Sequence, residues 1–266
     1  MATTADAVPE LLEVETYRRQ ASAVVGRRIV AVEAPDTWYV KRGDRSVLEP
    51  ALVGQRVSGI DRVGKLLLLD LEDGTRLGLR FGMTGRLLVD GSASIDRLQY
   101  SSTRTDPAWI RFSLLFDDGG DLRMLDPRRL GGVELDPDVA RLGPDALTIT
   151  ASELAAAMGR SRAPLKARLL DQSRIAGIGN LLADEILFAA ALDPARPASS
   201  LTPSELGALH QSILTTLPTL TSTGGSHTGP LRTAAALGAL CPLDGTPLLR
   251  RQLAGRTTWS CPKHQV

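Results

Sequence analysis

The chain has 266 residues, 43% of them hydrophobic, and a formal net charge of +1, so it holds one large or two smaller globular domains rather than a disordered or highly charged tail. Two cysteines do not make a disulfide scaffold, and no apolar run approaches membrane-spanning length, Leu66–Leu69 being followed at once by Asp70. Met1–Val8 has neither the basic nor the apolar region of a secretory signal, so a soluble intracellular protein with no membrane partner is expected.

Leu11, Val14, Ala21 and Val25 mark one face of a helix from about Leu11 to Val25. Short β-like runs follow at Arg28–Val32, Val57–Val63, Leu66–Leu71, Arg76–Arg80, Trp109–Phe116, Leu122–Leu125 and Val133–Leu135. Asp73-Gly74 reads as a hairpin turn, and many short strands at close spacing predict a sandwich or barrel. The polar stretch Ser92–Pro107 reads as a loop.

After Gly143-Pro144 the pattern turns helical, with segments opening at Ser152-Glu153, over Pro164–Leu170 and over Asn180–Ala191. Thr202-Pro203-Ser204-Glu205 is a capping box that opens a helix to about Leu217, and Thr221–Thr228 reads as a glycine-rich flexible loop. Cys241–His264 is short-stranded, with a turn at Asp244-Gly245.

Several strings carry chemistry. Pro9-Glu10-Leu11-Leu12-Glu13-Val14-Glu15-Thr16 stands just before Arg18-Arg19. A free prolyl nitrogen can attack a sugar C1′ and form an iminium, whereas the same nitrogen inside a peptide bond is a planar amide and cannot. Alone, a Pro-Glu pair is a helix start. Lys65 lies in Arg62-Val63-Gly64-Lys65 before an apolar strand, and alone is a solvated lysine. Phe81-Gly82-Met83-Thr84-Gly85-Arg86 is a glycine turn around a methionine; Asp126-Pro127-Arg128-Arg129-Leu130-Gly131 is a charged turn. Gly177-Ile178-Gly179-Asn180 puts glycines before a helix start, where backbone N–H groups and the dipole favour a phosphate, while Asn180 could equally cap the helix. Cys241-x2-Asp244 and Cys261-x2-His264 are separated by sixteen residues.

In this order the strings resemble the formamidopyrimidine-DNA glycosylase / endonuclease VIII family, closer to the first branch, from Pro9 to the C-terminus. The resemblance implies an α+β fold with an N-terminal β-sandwich domain, a helical domain with a helix–two-turns–helix, and a C-terminal β-hairpin module like a zinc ribbon, with DNA in the cleft between them. The divisions expected are an extension over 1–8, a catalytic domain over 9–140, the helical domain over 141–235 and the ribbon over 236–266.

It also implies roles: the Pro9 amine as nucleophile, Glu10 assisting sugar ring opening, and Lys65 and Arg256 at the lesion phosphates. Met83, Arg128 and Leu130 would face or fill the gap left by a flipped base, as an apolar wedge replaces lost stacking. Leu130 stands where the family has an aromatic, and offers no π-face. Asn180 and, more loosely, Arg162 would contact DNA. Asp106-Pro107-Ala108-Trp109 replaces a histidine-bearing segment, so that contact is expected to be missing.

Two of four ribbon thiolates are replaced, so zinc held by Cys241, Asp244, Cys261 and His264 is one expectation and a zinc-free hairpin held by packing the other. The activity implied is a base-excision-repair DNA glycosylase with β,δ-elimination lyase action on oxidised or ring-opened bases. Its partner would be damaged double-stranded DNA, and a monomer in the bacterial cytoplasm and nucleoid is the family default. The lyase needs Pro9 as a chain terminus; a valine start codon at Val8 offers a route. With Pro9 locked in the chain, the alternatives are a lesion or abasic-site binder without lyase action, or a purely hydrolytic glycosylase.

Overall fold

The structure, a computed structural model, describes residues 9–95, 98 and 106–266. The predicted extension with its start at Val8, and most of the predicted loop Ser92–Pro107, lie outside the described residues. Two compact units emerge: Pro9 with Glu13–Val139, and Glu10–Leu12 with Ala140–Val266.

In the first unit, helix α1 (Leu11–Ala21) buries Val14, Tyr17 and Ala21 in the core of that unit. The predicted helix to Val25 ends early because a short 3-10 turn over Ser22–Val24 takes over, with the Ser22 hydroxyl donating to the Arg18 carbonyl. Ten further elements follow: β1 (Ile29–Glu33), α2 (Leu48–Leu52), β2 (Val57–Val63), β3 (Leu66–Leu71), β4 (Arg76–Arg80), β5 (Arg86–Val89), β6 (Ser92–Ala93), β7 (Ile110–Phe116), β8 (Asp121–Leu125) and β9 (Gly132–Leu135). The alternating and apolar runs became strands where expected. β5 was missed because it is only four residues long and opens on a charged residue, the buried Arg86, which leaves an apolar run of three. β6 pairs with it inside the stretch read as a loop.

The strands form a five-stranded sheet in the order β1-β7-β8-β5-β6 and a four-stranded sheet in the order β2-β3-β4-β9. Leu67, Leu69, Leu77 and Leu79 from one sheet share an apolar core with Leu87, Phe112, Leu114 and Met124 from the other, which makes a sandwich. At the β3–β4 turn Gly74 takes φ 90°, the left-handed conformation that the Asp-Gly pair signalled.

The second unit contains α3 (Ala151–Met158), α4 (Leu165–Leu170), α5 (Asn180–Ala189), α6 (Pro203–Thr223) and α7 (Pro230–Leu237), then the hairpin β10 (Leu249–Leu253) and β11 (Arg256–Ser260). Capping boxes at Thr150 and Thr202 start α3 and α6. α6 does not stop near Leu217: it continues through Pro218 to Thr223 and ends on Gly224 at φ 113°. Threonine hydroxyls at positions 215, 219 and 221 donate to carbonyls one turn back, and Leu217 and Leu220 keep its apolar face buried. The rest of the predicted loop Thr221–Thr228 is a 3-10 turn over Ser226–Thr228. α7, opened by Pro230, was not expected. A small cluster of Phe188, Leu231, Cys241, Leu248 and Cys261 packs the hairpin module onto α5 and α7. Among the described residues no helix is long and apolar enough to cross a membrane.

Candidate functional site

Four N–H groups at a helix start have no partner within the helix and need one from elsewhere. At α5 the N-cap is Gly179, which has no side chain to offer. Glu10 supplies the acceptors: its Oε1 takes the Leu181 N–H at 2.9 Å and its Oε2 the Leu182 N–H at 3.1 Å, and the side chain is 2% exposed. The Gly177 carbonyl accepts the Leu11 N–H, fixing the chain just after Glu10. The residue following the predicted nucleophile is thus held at one helix terminus by charge-assisted bonds.

Asn180 sits in the same turn but does not cap the helix. Its Nδ2 instead donates to the Thr257 carbonyl at 3.1 Å, and Thr257 follows Arg256 near the tip of the β10–β11 hairpin. A second clamp grips the same place. Lys166, fully buried on α4, donates to the Thr257 carbonyl at 3.1 Å and to the Thr258 hydroxyl at 2.9 Å, and pairs with Asp184 at 2.7 Å. Burial pushes the Lys166 ammonium down despite Asp184, and pushes the Asp184 carboxyl up to about 6 despite Lys166. Arg256 itself is exposed, so its guanidinium is free to face solvent while its backbone is fixed; Arg162 is exposed on the α3–α4 loop.

In the sandwich unit Pro9 is buried and Lys65 half-buried in the β2–β3 turn. Arg62 braces that turn, donating to the Gly64 carbonyl at 2.8 Å and to Glu15 on α1 at 3.1 Å. Burial would raise the Glu15 carboxyl, but Arg18 and Arg62 outweigh it and hold the group at about 2. Met83 is half-buried in the turn between β4 and β5, while Arg128 and Leu130 are exposed between β8 and β9, Leu130 at 47%. Arg129 between them is turned away by a bidentate pair with Asp36 at 2.5 and 2.7 Å. Asp106 caps a 3-10 turn over Pro107–Trp109, its side chain accepting the Ala108 N–H.

In the hairpin module, ligand atoms of Cys241, Asp244 and Cys261 lie within 4.8 Å of one another, a group that could hold a metal ion. His264, expected as the fourth ligand, is not among them. Its Nε2 is hydrogen-bonded to the Phe188 carbonyl at 2.8 Å, and its ring packs on Phe188 with centroids 4.7 Å apart.

Residues 8–133 match the formamidopyrimidine-DNA glycosylase N-terminal domain, and residues 142–229 match the H2TH domain of formamidopyrimidine-DNA glycosylase. The chain belongs to the formamidopyrimidine-DNA glycosylase family. It is 36% identical to the formamidopyrimidine-DNA glycosylase of Paracoccus denitrificans, over 96% of this chain and 99% of the relative. To that of Symbiobacterium thermophilum it is 35% identical, over 97% of this chain and 89% of the relative. A crystal structure of a Lactococcus lactis FPG mutant bound to Fapy-dG-containing DNA superposes with TM-score 0.82 at 27% identity, covering 97% and 99% of the two chains. As a member of this family the protein is a DNA glycosylase of base-excision repair.

In this glycosylase the ribbon donors do not fit a closed structural zinc site, which takes four ligands in a tetrahedron. Three donors converge, one of them the exposed carboxylate of Asp244, and neither ring nitrogen of His264 joins them. Backbone bonds from Cys241 to Thr246 and from Gln265 to Cys261, with the apolar cluster, tie the module together. Sequence reasoning also passed over Lys166, Glu185 and Asp126. The first had a signal, a lone lysine within Leu165–Leu170. Glu185 stands in Ala183-Asp184-Glu185 just after the Gly177–Asn180 string, but its role, capping α7 by accepting the Leu231 and Arg232 N–H groups at 3.3 and 2.7 Å, joins residues far apart in the chain.

Proposed function

We propose that this glycosylase removes oxidised or ring-opened bases from double-stranded DNA by covalent catalysis from Pro9. The amine nitrogen forms a bond to C1′ as the glycosidic bond breaks, and that bond's electron pair leaves with the base, which takes up a proton. The amine loses its proton, and the C1′–O4′ bond breaks with its electron pair staying on O4′, which takes up a proton. The C1′=N iminium that remains acidifies the C2′ hydrogens. β-Elimination then expels the 3′ phosphate, and δ-elimination the 5′ phosphate.

The observation that carries this reading is the gathering of three expected residues around the start of α5. Glu10 is bonded to the helix N-terminus, Asn180 lies in its first turn, and the peptide after Arg256 is bonded to Asn180. Glu10 assists sugar ring opening. Asn180, Arg256 and Lys65 hold phosphates, with Arg162 as a further basic contact. Met83, Arg128 and Leu130 enter the duplex. Catalysis takes Pro9 as the N-terminal residue of the active protein. The hairpin is read as zinc-free, the protein as a monomer, and its place of work as the bacterial nucleoid.

Borohydride trapping on abasic-site DNA tests this. A covalent adduct is expected that disappears in Pro9→Gly and persists in Lys65→Ala. Tight binding without any adduct would convert the reading to a lesion binder, and base release without an adduct to a hydrolytic glycosylase.

A further inference from the structure

The turn that carries Met83 joins β4 to β5 and the turn that carries Arg128 and Leu130 joins β8 to β9, each passing from one sheet to the other, yet one carboxylate serves both. Asp126 is fully buried at the end of β8. Its Oδ1 accepts the Thr84 hydroxyl from the first turn and the Arg128 N–H, at 3.2 Å, from the second. Its Oδ2 accepts the Gly131 N–H at 2.7 Å. The residue's own backbone is fixed as well, its N–H donating to the Trp109 carbonyl at 2.8 Å and its carbonyl accepting Arg111 Nε at 2.9 Å.

The two turns also touch directly. Gly82 has φ +57°, and a Cβ there would lie 2.5 Å from the carbonyl carbon of Leu130. A buried carboxylate is costly unless its lone pairs are filled, and here neutral donors from both turns fill them. An amide could not do the same. It has one acceptor oxygen, and its NH2 would face a donor.

We propose that Asp126 is a positioning residue that locks the Met83 turn and the Arg128–Leu130 turn into one rigid wedge, and so sets how the enzyme discriminates the base opposite the lesion. The inference rests on Met83, Arg128 and Leu130 being the residues that enter the duplex. Asp126 touches no substrate. It fixes the spacing between an apolar plug and the arginine beside it, so that both enter the gap together when the base leaves the stack. A substrate without a base needs no extrusion, and its cleavage depends least on the wedge.

The test uses the full-length enzyme with Asp126→Asn, Thr84→Val and Thr84→Ser. It measures excision of an oxidised purine opposite each of the four bases, cleavage of a preformed abasic site, and fluorescence of 2-aminopurine placed opposite the lesion. Asp126→Asn and Thr84→Val are expected to slow base excision by about tenfold or more, the loss of one hydrogen bond to a charged group. They should also flatten the opposite-base preference and weaken the 2-aminopurine signal, while abasic-site cleavage stays close to the parent rate. Thr84→Ser, which keeps the hydroxyl, should behave as the parent.

Equal losses on both substrates with the preference intact would assign Asp126 a merely structural role and overturn the proposal, as would an unchanged preference in Thr84→Val. Met83→Ala and Arg128→Ala separate the two layers. If they leave preference and excision unchanged, the wedge reading has failed and the inference falls with it. If they impair both while Asp126→Asn and Thr84→Val do not, the positioning inference alone has failed.

Discussion

Gly179→Ala is a sharp probe of the site because its backbone gives no reason to object. Gly179 has φ −114° and ψ −166°, extended values that alanine adopts freely. The obstacle is the Glu10 carboxyl: a Cβ would lie 2.5 Å from Oε2 and closer still to Cδ and Oε1. The carboxylate must leave the two N–H groups it accepts at 2.9 and 3.1 Å. Losing a charge-assisted cap of this kind costs about 3 kcal/mol. For a chain of this size that lowers the melting temperature by roughly 10 °C.

Gly229 provides the matched control. It precedes α7 as Gly179 precedes α5, and a Cβ there would lie 2.5 Å from Glu185 Cγ. Gly229→Ala is expected to cost similar stability while leaving activity on abasic DNA nearly intact at a temperature where both variants are folded. Gly179→Ala should lose about a hundredfold or more under the same conditions, the scale of a displaced acid–base group. Gly207→Ala, in exposed α6 with nothing within 4 Å of the added methyl, should gain about 0.5–1 kcal/mol. Thermal melts and single-turnover cleavage check all three. If Gly179→Ala melts and cleaves like its parent, Glu10 is not held where the structure puts it.

Lys166→Met leaves the Asp184 carboxylate buried without its countercharge, and should cost about 3–5 kcal/mol in urea melts; adding Asp184→Leu should restore part of it. Burial raises the Glu185 carboxyl from 4.5 to about 7. Because its folded value exceeds its unfolded one, the group's stabilisation is complete below about pH 4.5 and is lost as pH rises to about 7, up to about 3 kcal/mol. Glu185→Gln should flatten the difference between melts at about pH 5 and about pH 8, and an unchanged slope would assign it to another group. Prolonged dialysis against a metal chelator should leave the melting temperature and strand cleavage unchanged, since Cys241, Asp244 and Cys261 lack a fourth ligand in His264. Loss of either that zinc restores would show that a metal completes the site.

Strands β2, β3 and β4 were legible to the residue because short β-like runs, the unbroken leucines of β3 among them, and an Asp-Gly turn are local physics that the tertiary fold did not need to override. The family, too, was legible in ordered short strings from Pro9 to the ribbon spacing. What the sequence could not decide were interactions between residues far apart in the chain. Glu10 caps a helix that begins at Asn180, Lys166 meets Thr257 and Thr258, and Asp126 reaches Thr84; no periodicity encodes such pairs. α6 outran its predicted end because the buried leucines Leu217 and Leu220 outweighed the breaker Pro218, and it stopped only at Gly224. His264 shows the same limit from the other side: spacing placed it at the fourth ligand position, while in the structure it stands outside the group of Cys241, Asp244 and Cys261, with its Nε2 bonded to the Phe188 carbonyl. Local chemistry set the elements and the motifs, while packing decided which polar atoms met, because a buried donor or acceptor must find its partner wherever the fold brings one.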